Sequence, residues 1–336
     1  MPRPRTWGSR CLLWGVLLSC VPLAAVAQPA VSWSGRAFID YRYVLDSPVP
    51  GETGANTFDY RRLNLGAQAE VADDFTLFAR LEARGQSPDR PTPFVKDFHL
   101  TWADALGPGH RLRLGVQSPP LFGLAEQTWG YRSLAQTLMD RVRANESRDF
   151  GLRADGPLVP GGAVEYGAMI ANGNGVRADA PTARGKHVYG QVRVVPDGPL
   201  RAAVTVDFTS HESDEPRAQT LKTSAFLGAV TERVRGGVEA FYITIDPSDP
   251  GADTRAGLGL SAFGAVDTSA RTGLVGRIDW VDDEANLRAD RDEVYGLAAF
   301  VYRPARRVEI MPNVVVSVLD GLDARVESRL TAHAWF

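Results

Sequence analysis

Long apolar runs are missing from most of this chain. Beyond residue 27 none approaches the roughly 20 residues that a membrane-crossing helix needs. Cysteine is almost absent as well: Cys11 and Cys20 are the only two in 336 residues. Both lie in an N-terminal stretch expected to be removed, so the mature chain has no thiol for a disulfide, a metal or nucleophilic attack. Lysine is scarce, with Lys96, Lys186 and Lys222 the only three among 37 basic residues. Charge of one sign is lacking too. The chain carries a formal net charge of −3 and no basic run, which argues against a nucleic-acid partner. His99, His110, His187, His211 and His333 are scattered, with no metal-ligand spacing, and no phosphate-cradling glycine loop occurs. No cofactor is therefore expected, and no catalytic constellation can be assembled.

What is present begins with a leader. Arg3, Arg5 and Arg10 precede an apolar stretch over 11–26, and Ala25-Val26-Ala27 supplies a small-x-small cleavage pattern. The expectation is a cleaved signal peptide over 1–27 and a single domain over 28–336. A retained membrane helix is the alternative, but the stretch is short and interrupted by Gly15 and Pro22. Lipoprotein processing at Cys20 is a second alternative, disfavoured by the clean site after Ala27. Loss of three arginines and no acids takes the net charge from −3 to −6.

The exported chain alternates. Leu63, Leu65, Ala67, Ala69 and Val71 interleave with Arg62, Asn64, Gln68 and Glu70, and Leu200, Ala202, Val204, Val206 and Phe208 interleave with Arg201, Thr205, Asp207 and Thr209. Period two marks strands with one apolar and one polar face. Sixteen such stretches can be drawn: 34–45, 58–71, 75–85, 94–103, 110–117, 148–156, 162–172, 184–196, 199–209, 219–230, 232–246, 255–267, 270–281, 291–303, 306–318 and 324–336. Most approach the about 9–11 residues that cross a bilayer at a tilt. In 219–230, 232–246 and 291–303 both faces are apolar, and the phase is open. Aromatics gather near strand ends, where interfacial girdles sit: Tyr41, Tyr43, Phe58, Phe75, Trp102, Tyr242, Trp280, Tyr302 and Trp335-Phe336.

Odd-numbered connections are the longer ones, and even-numbered ones are mostly short, such as Ala72-Asp73-Asp74, Pro196-Asp197-Gly198 and Pro304-Ala305. That asymmetry is expected of a barrel with both ends on one side of the membrane. The fold class expected is all-β: a transmembrane antiparallel β-barrel of 16 strands. Its third outer loop, 118–147, is unusually long. It is also too apolar for solvent, with Leu121, Phe122, Leu124, Trp129, Tyr131, Leu134, Leu138 and Met139, and its 134–143 segment has helical spacing. Folding into the barrel would satisfy it, apolar side to the wall and charges to the lumen. Packing against a neighbouring subunit is the other possibility.

Several segments resemble the phosphate-selective porins O and P. These are Phe58-Asp59-Tyr60-Arg61-Arg62-Leu63-Asn64-Leu65-Gly66 with Glu70 and Asp73-Asp74-Phe75, then Leu114-Gly115-Val116-Gln117-Ser118-Pro119-Pro120-Leu121-Phe122-Gly123-Leu124, then Arg148-Asp149-Phe150-Gly151, and Tyr166 leading to Ala171-Asn172-Gly173. The resemblance covers roughly residues 35–175. It implies a trimeric 16-stranded outer-membrane porin, an infolded third loop and an arginine-lined path for anions. Separately, the terminal strand Leu330-Thr331-Ala332-His333-Ala334-Trp335-Phe336, ending on an aromatic residue, resembles the signal by which the barrel-assembly machinery recognises outer-membrane clients. An ordinary edge strand ending on Phe is the plain alternative. Phosphate-selective members carry pore lysines, whereas here lysine is scarce and the fifth outer loop reads His211-Glu212-Ser213-Asp214-Glu215. The particular oxyanion is therefore left open.

Selectivity in a wide pore comes from its charged lining. Phase assigns Arg36, Arg42, Arg62, Arg80, Arg84, Arg111, Arg113, Arg153, Arg193, Arg277 and Arg329 to the lumen, together with Asp40, Glu70, Glu82, Asp97, Asp149 and Asp155. The expected constriction sets Arg132, Arg141 and Arg143 of the loop opposite Arg80, Arg111 and Arg113 of the wall. Passive diffusion of small polar or anionic solutes, with weak to moderate anion preference, is the function expected. Rival readings are an outer-membrane barrel enzyme of the phospholipase or protease kind, which needs a histidine with a nucleophile or paired acids, and a non-conducting structural barrel.

Overall fold

A sheet whose outer face is apolar has no solvent to satisfy a free edge in hydrocarbon, so it must close on itself. The computed structural model shows a closed barrel of 16 strands, each antiparallel to both neighbours. It describes residues 30–85, 92–178, 185–209, 219–246, 253–283, 285 and 292–336. The expected leader and the acidic 211–215 segment lie outside the described residues.

The strands are β1 (Val31–Asp46), β2 (Asn56–Ala72), β3 (Phe75–Ala83), β4 (Phe94–Ala103), β5 (Arg111–Gln117), β6 (Asp149–Pro157), β7 (Val164–Ala171) and β8 (His187–Val194). They continue with β9 (Leu200–Thr209), β10 (Gln219–Val230), β11 (Val234–Asp246), β12 (Arg255–Asp267), β13 (Thr272–Asp282), β14 (Glu293–Ala305), β15 (Val308–Leu319) and β16 (Arg325–Trp335). All sixteen expected strands are present, with ends within three residues of the sequence reading. Closure joins the first strand to the last: the Gly35 amide donates to the Phe336 carbonyl at 3.2 Å and the Phe336 amide returns to Gly35 at 3.1 Å.

Several details differ from the sequence reading. The connection-length rule is imperfect, because the inner connections 104–110 and 158–163 are longer than the outer 320–324. The single helix expected over 134–143 is instead two short ones, α1 (Gly123–Trp129) and α2 (Leu138–Arg141). Thr137 is extended, with φ −62° and ψ 165°, and confines α2 to its last turn. Five register shifts were also unforeseen, and two of them change the charged lining. Between β1 and β2, Phe38 faces Arg62 but Ile39 faces Tyr60, leaving Arg61 as the extra residue. Between β3 and β4, Arg80 faces Asp97 but Leu81 faces Val95, leaving Lys96 extra. Each of these two bulges turns two consecutive charged residues inward where strict alternation admits one.

The open phases now resolve. Lys222, Phe226 and Gly228 of β10 face inward, as do Glu239, Phe241 and Ile243 of β11 and Glu293, Tyr295, Leu297, Ala299 and Val301 of β14. The apolar members of these inner faces, among them Phe226, Phe241, Ile243, Tyr295 and Leu297, are there because the third outer loop packs on them. Outside, Phe58, Trp102, Tyr242, Tyr302 and Phe336 are exposed toward the membrane. Phe75 stacks on Trp102 with ring centroids 5.5 Å apart at the short-turn end.

Gly115 of β5 pairs with Gly151 of β6. Gly115 has φ +133°, and a Cβ there would stand 2.2 Å from the Phe98 carbonyl oxygen. Gly115→Val is therefore expected to destabilise the barrel by about 1–3 kcal/mol, the usual cost of forcing such a backbone. The measurement is the temperature at which detergent-folded barrel loses its compact gel migration, which should fall. An unchanged transition would show that the strand can shift freely.

Candidate pore constriction

The third outer loop leaves β5, crosses the lumen and lies against the wall of β9–β15. Its first half puts Leu124, Trp129, Tyr131 and Leu134 into one apolar cluster with Phe226, Phe263, Tyr295, Leu297 and Val301. The Trp129 ring meets Phe263 edge-on at 5.2 Å. Its second half puts Leu138, Met139 and Val142 against Phe241, Ile243, Val281 and Tyr189.

Buried backbone must also find polar partners. The Trp129 indole donates to the Ala135 carbonyl at 2.8 Å, folding the loop on itself. Backbone bonds within the loop satisfy many of the rest, and wall arginines reach several carbonyls that these leave. Arg61 donates to the carbonyls of Ser133 and Leu134, Arg277 to that of Gln136, and Arg153 to that of Ser118. Arg303 donates to the Tyr131 hydroxyl at 2.9 Å. Glu239 accepts the Leu138 amide at 3.2 Å. On the return arm, Asn145 donates to Asp207 at 2.8 Å, and Asp207 also holds His187 at 2.8 Å.

The uncovered arc, β1–β6, is built differently. Three of its buried carboxylates are each flanked by more than one cation, whereas Asp40 pairs with Arg61 and Asp149 is held by Tyr189 and His187. Glu82 is met by Arg62, Arg84 and Lys96, Asp97 by Arg80 and Arg148, and Asp155 by Arg113 and Arg153. The same arrangement recurs on β16, where Glu327 receives Arg325 and Arg329. The acids sit behind the bases: the Glu82 and Asp155 side chains are 0% and 1% exposed, against 46% for Arg84 and 20% for Arg113.

The six candidate arginines fall into two groups. Arg80 pairs with Asp97 at 3.3 Å and lies 5.0 Å over the Phe78 ring. Arg113 pairs with Asp155 at 2.9 Å. Arg111 and Arg143 are exposed, and Arg143 holds a left-handed backbone at φ 58°. By contrast, Arg132 is buried between Glu126 and Asp140, both at 2.5 Å. Burial pushes the Asp140 carboxyl up, but Arg132, Gln136 and Arg62 together hold the group below its ordinary value. Arg141 is clamped by Asp279 and Glu293, both at 2.8 Å, and lies 4.4 Å over Tyr295. The sequence reading gave Arg132, Arg141 and Arg143 one common role at the constriction. It missed Glu126, Asp279 and Glu293. It also missed Arg61, whose signal was a pair of adjacent arginines inside an alternating strand.

Removing the Trp129 side chain should cost about 3–5 kcal/mol of local packing, as for other buried tryptophans. Trp129→Ala is expected to leave the barrel closed but release the loop, giving larger and noisier single-channel currents and faster proteolysis within 118–147. Wild-type currents and cleavage rates would mean that the loop is held without it.

The chain matches the Gram-negative porin family over residues 15–311. No match is found among curated proteins. Among solved structures, the barrel is similar to an anion-selective porin from Comamonas acidovorans, with a TM-score of 0.70 and 11% identity over 92% of this chain and 100% of that one. It is similar to the outer-membrane channel DcaP of Acinetobacter baumannii, at 0.65 and 14% over 93% and 99%. It is also similar to OmpT of Vibrio cholerae in a trimer form, at 0.63 and 12% over 92% and 100%. A closed 16-strand barrel, a lumen narrowed by its own third loop and a match spanning most of the sequence lead to one conclusion: the chain belongs to the Gram-negative porin family and is a passive diffusion channel of the outer membrane.

Proposed function

We propose that this porin passes small hydrophilic solutes with a weak to moderate preference for anions. One observation carries the reading: on the open arc, Glu82, Asp97 and Asp155 are buried behind arginines that outnumber them, several of which keep part of their surface in the lumen. A solute in the eyelet then meets guanidinium groups, which stay charged and present a planar donor fork to oxyanions. Arg80, Arg111, Arg113 and Arg143 line the anion path, while Arg132 and Arg141 act chiefly by pinning the loop. The net negative charge of the mature chain does not oppose this. At about 0.15 M salt, fields from exposed charges fade over roughly 8 Å, so acids on the outer loops barely reach the eyelet. Charge in a narrow, low-dielectric passage is screened less.

The name of the Comamonas relative, an anion-selective porin, is consistent with this reading. The trimer form of the Vibrio relative supports a homotrimer here, with wall faces of small and apolar side chains in contact. The reading includes export by a cleaved leader over 1–27, one barrel domain over 28–336, insertion through the barrel-assembly machinery at Phe336, and conduction without catalysis.

The test is the reversal potential of planar bilayers in a salt gradient. The wild type should show the sign of anion preference. Arg80→Ala/Arg113→Ala/Arg143→Ala should move the potential toward cations, and folding should survive because Asp97 and Asp155 keep Arg148 and Arg153. A cation-selective wild type, or a potential unmoved in the triple variant, overturns the reading.

A further inference from the structure

A second concentration of arginine lies at the opposite end of the channel from the outer mouth. A cavity of about 570 Å³ opens among the short connections β10–β11, β12–β13 and β14–β15, on the side where β1 begins and β16 ends. In a barrel of this kind that side is periplasmic. Arg235, Arg271, Arg303, Arg306 and Arg307 line it. Two acids share the space, Asp267 and Glu309, and Arg303 binds both, at 2.9 and 3.3 Å. His333 lies against Glu309 at 3.0 Å. Among the described residues, Arg235, Arg271, Arg306 and Arg307 have no carboxylate within salt-bridge distance. The cavity therefore holds more cationic charge than its own acids neutralise.

Two further features suggest a built site. The tip of the third loop forms its inner wall: Tyr131 accepts a hydrogen bond from Arg303, and the Arg235 guanidinium lies 5.9 Å from the Tyr131 ring. Gly130, at φ +72°, lets the loop approach so closely that a Cβ there would stand 2.4 Å from an Arg235 nitrogen. Arg307 occupies a left-handed turn position at φ 69°, where glycine fits without strain. An arginine held there supplies charge at a conformational cost.

We propose that this basin is a binding site for small multivalent oxyanions, of the di- or tricarboxylate and phosphate kind, at the periplasmic mouth. Guanidinium forks bind such groups in a bidentate manner, and several forks facing one space favour more than one negative charge. A chloride ion would engage the basin more weakly. The site stands apart from the constriction arginines and does not rest on the selectivity assigned to them.

The test adds citrate, and separately inorganic phosphate, to each compartment in turn of a bilayer holding the full barrel in potassium chloride. Citrate should interrupt the single-channel current at least tenfold more often from the periplasmic side than from the outer side. Arg271→Ala/Arg306→Asn/Arg307→Gly should abolish that difference while leaving the reversal potential in plain salt unchanged. Glycine suits position 307, so the turn should survive. If the triple variant does not fold, Arg306→Asn/Arg307→Gly alone should still lower the blocking frequency several-fold. Block that is equal from both sides, or undiminished in the folded variant, overturns the site. A cation-selective wild type would overturn the constriction reading and leave this one to be decided by the sidedness of block.

Discussion

Hydrogen bonds from wall arginines to carbonyls of the third loop hold this structure in its working form. A loop backbone drawn into a barrel loses water, and each unpaired carbonyl there is costly. Arg61, Arg153 and Arg277 each reach a loop carbonyl while a carboxylate, Asp40, Asp155 or Asp279, orients the same guanidinium. The fork geometry of arginine allows both contacts at once, and a lysine at these positions could not reproduce it. The scarcity of lysine and abundance of arginine in this chain therefore follow from structural need as well as from any need for cationic charge.

This arrangement divides the lumen. One half is closed by apolar packing between the loop and β9–β15, where Trp129, Phe263, Tyr295 and Leu297 exclude water. The other half remains open and is lined by β1–β6. Charge on the closed side is largely internal: Arg141 answers Asp279 and Glu293, and Arg132 answers Glu126 and Asp140. Charge on the open side is displayed, because the acids lie deep and the guanidiniums stand in front of them. A transverse contrast in polarity results, generated by where the loop lies rather than by overall composition.

The loop also links the two ends of the channel. Its elbow at Gly130-Tyr131 reaches the periplasmic arginines, whereas its return arm at Asn145 joins the Asp207, His187 and Lys222 group near the outer ends of β8–β10. A displacement at either anchor would be carried through the packed segment between them, since such a segment has few alternative arrangements.

By itself the sequence determined the barrel. Period-two alternation bounded by turn residues located sixteen strands, because an apolar outer face and a polar inner face leave their mark on every other residue. It also revealed the third loop as misplaced in solvent, through Trp129, Tyr131 and Leu138. Where the inner face was apolar, in β10, β11 and β14, alternation was silent, because its cause lay in a loop far away in the chain. Only the tertiary structure decided which charges meet. A strand pattern gives the direction of a side chain but not its partner across the lumen, so Asp279 and Glu293 could not be matched to Arg141. Bulges at Arg61 and Lys96 broke the parity on which the reading of direction relied. Adjacent charged residues in an alternating strand were their one local trace, and it took the register with the neighbouring strand to show that both members of each pair turn inward.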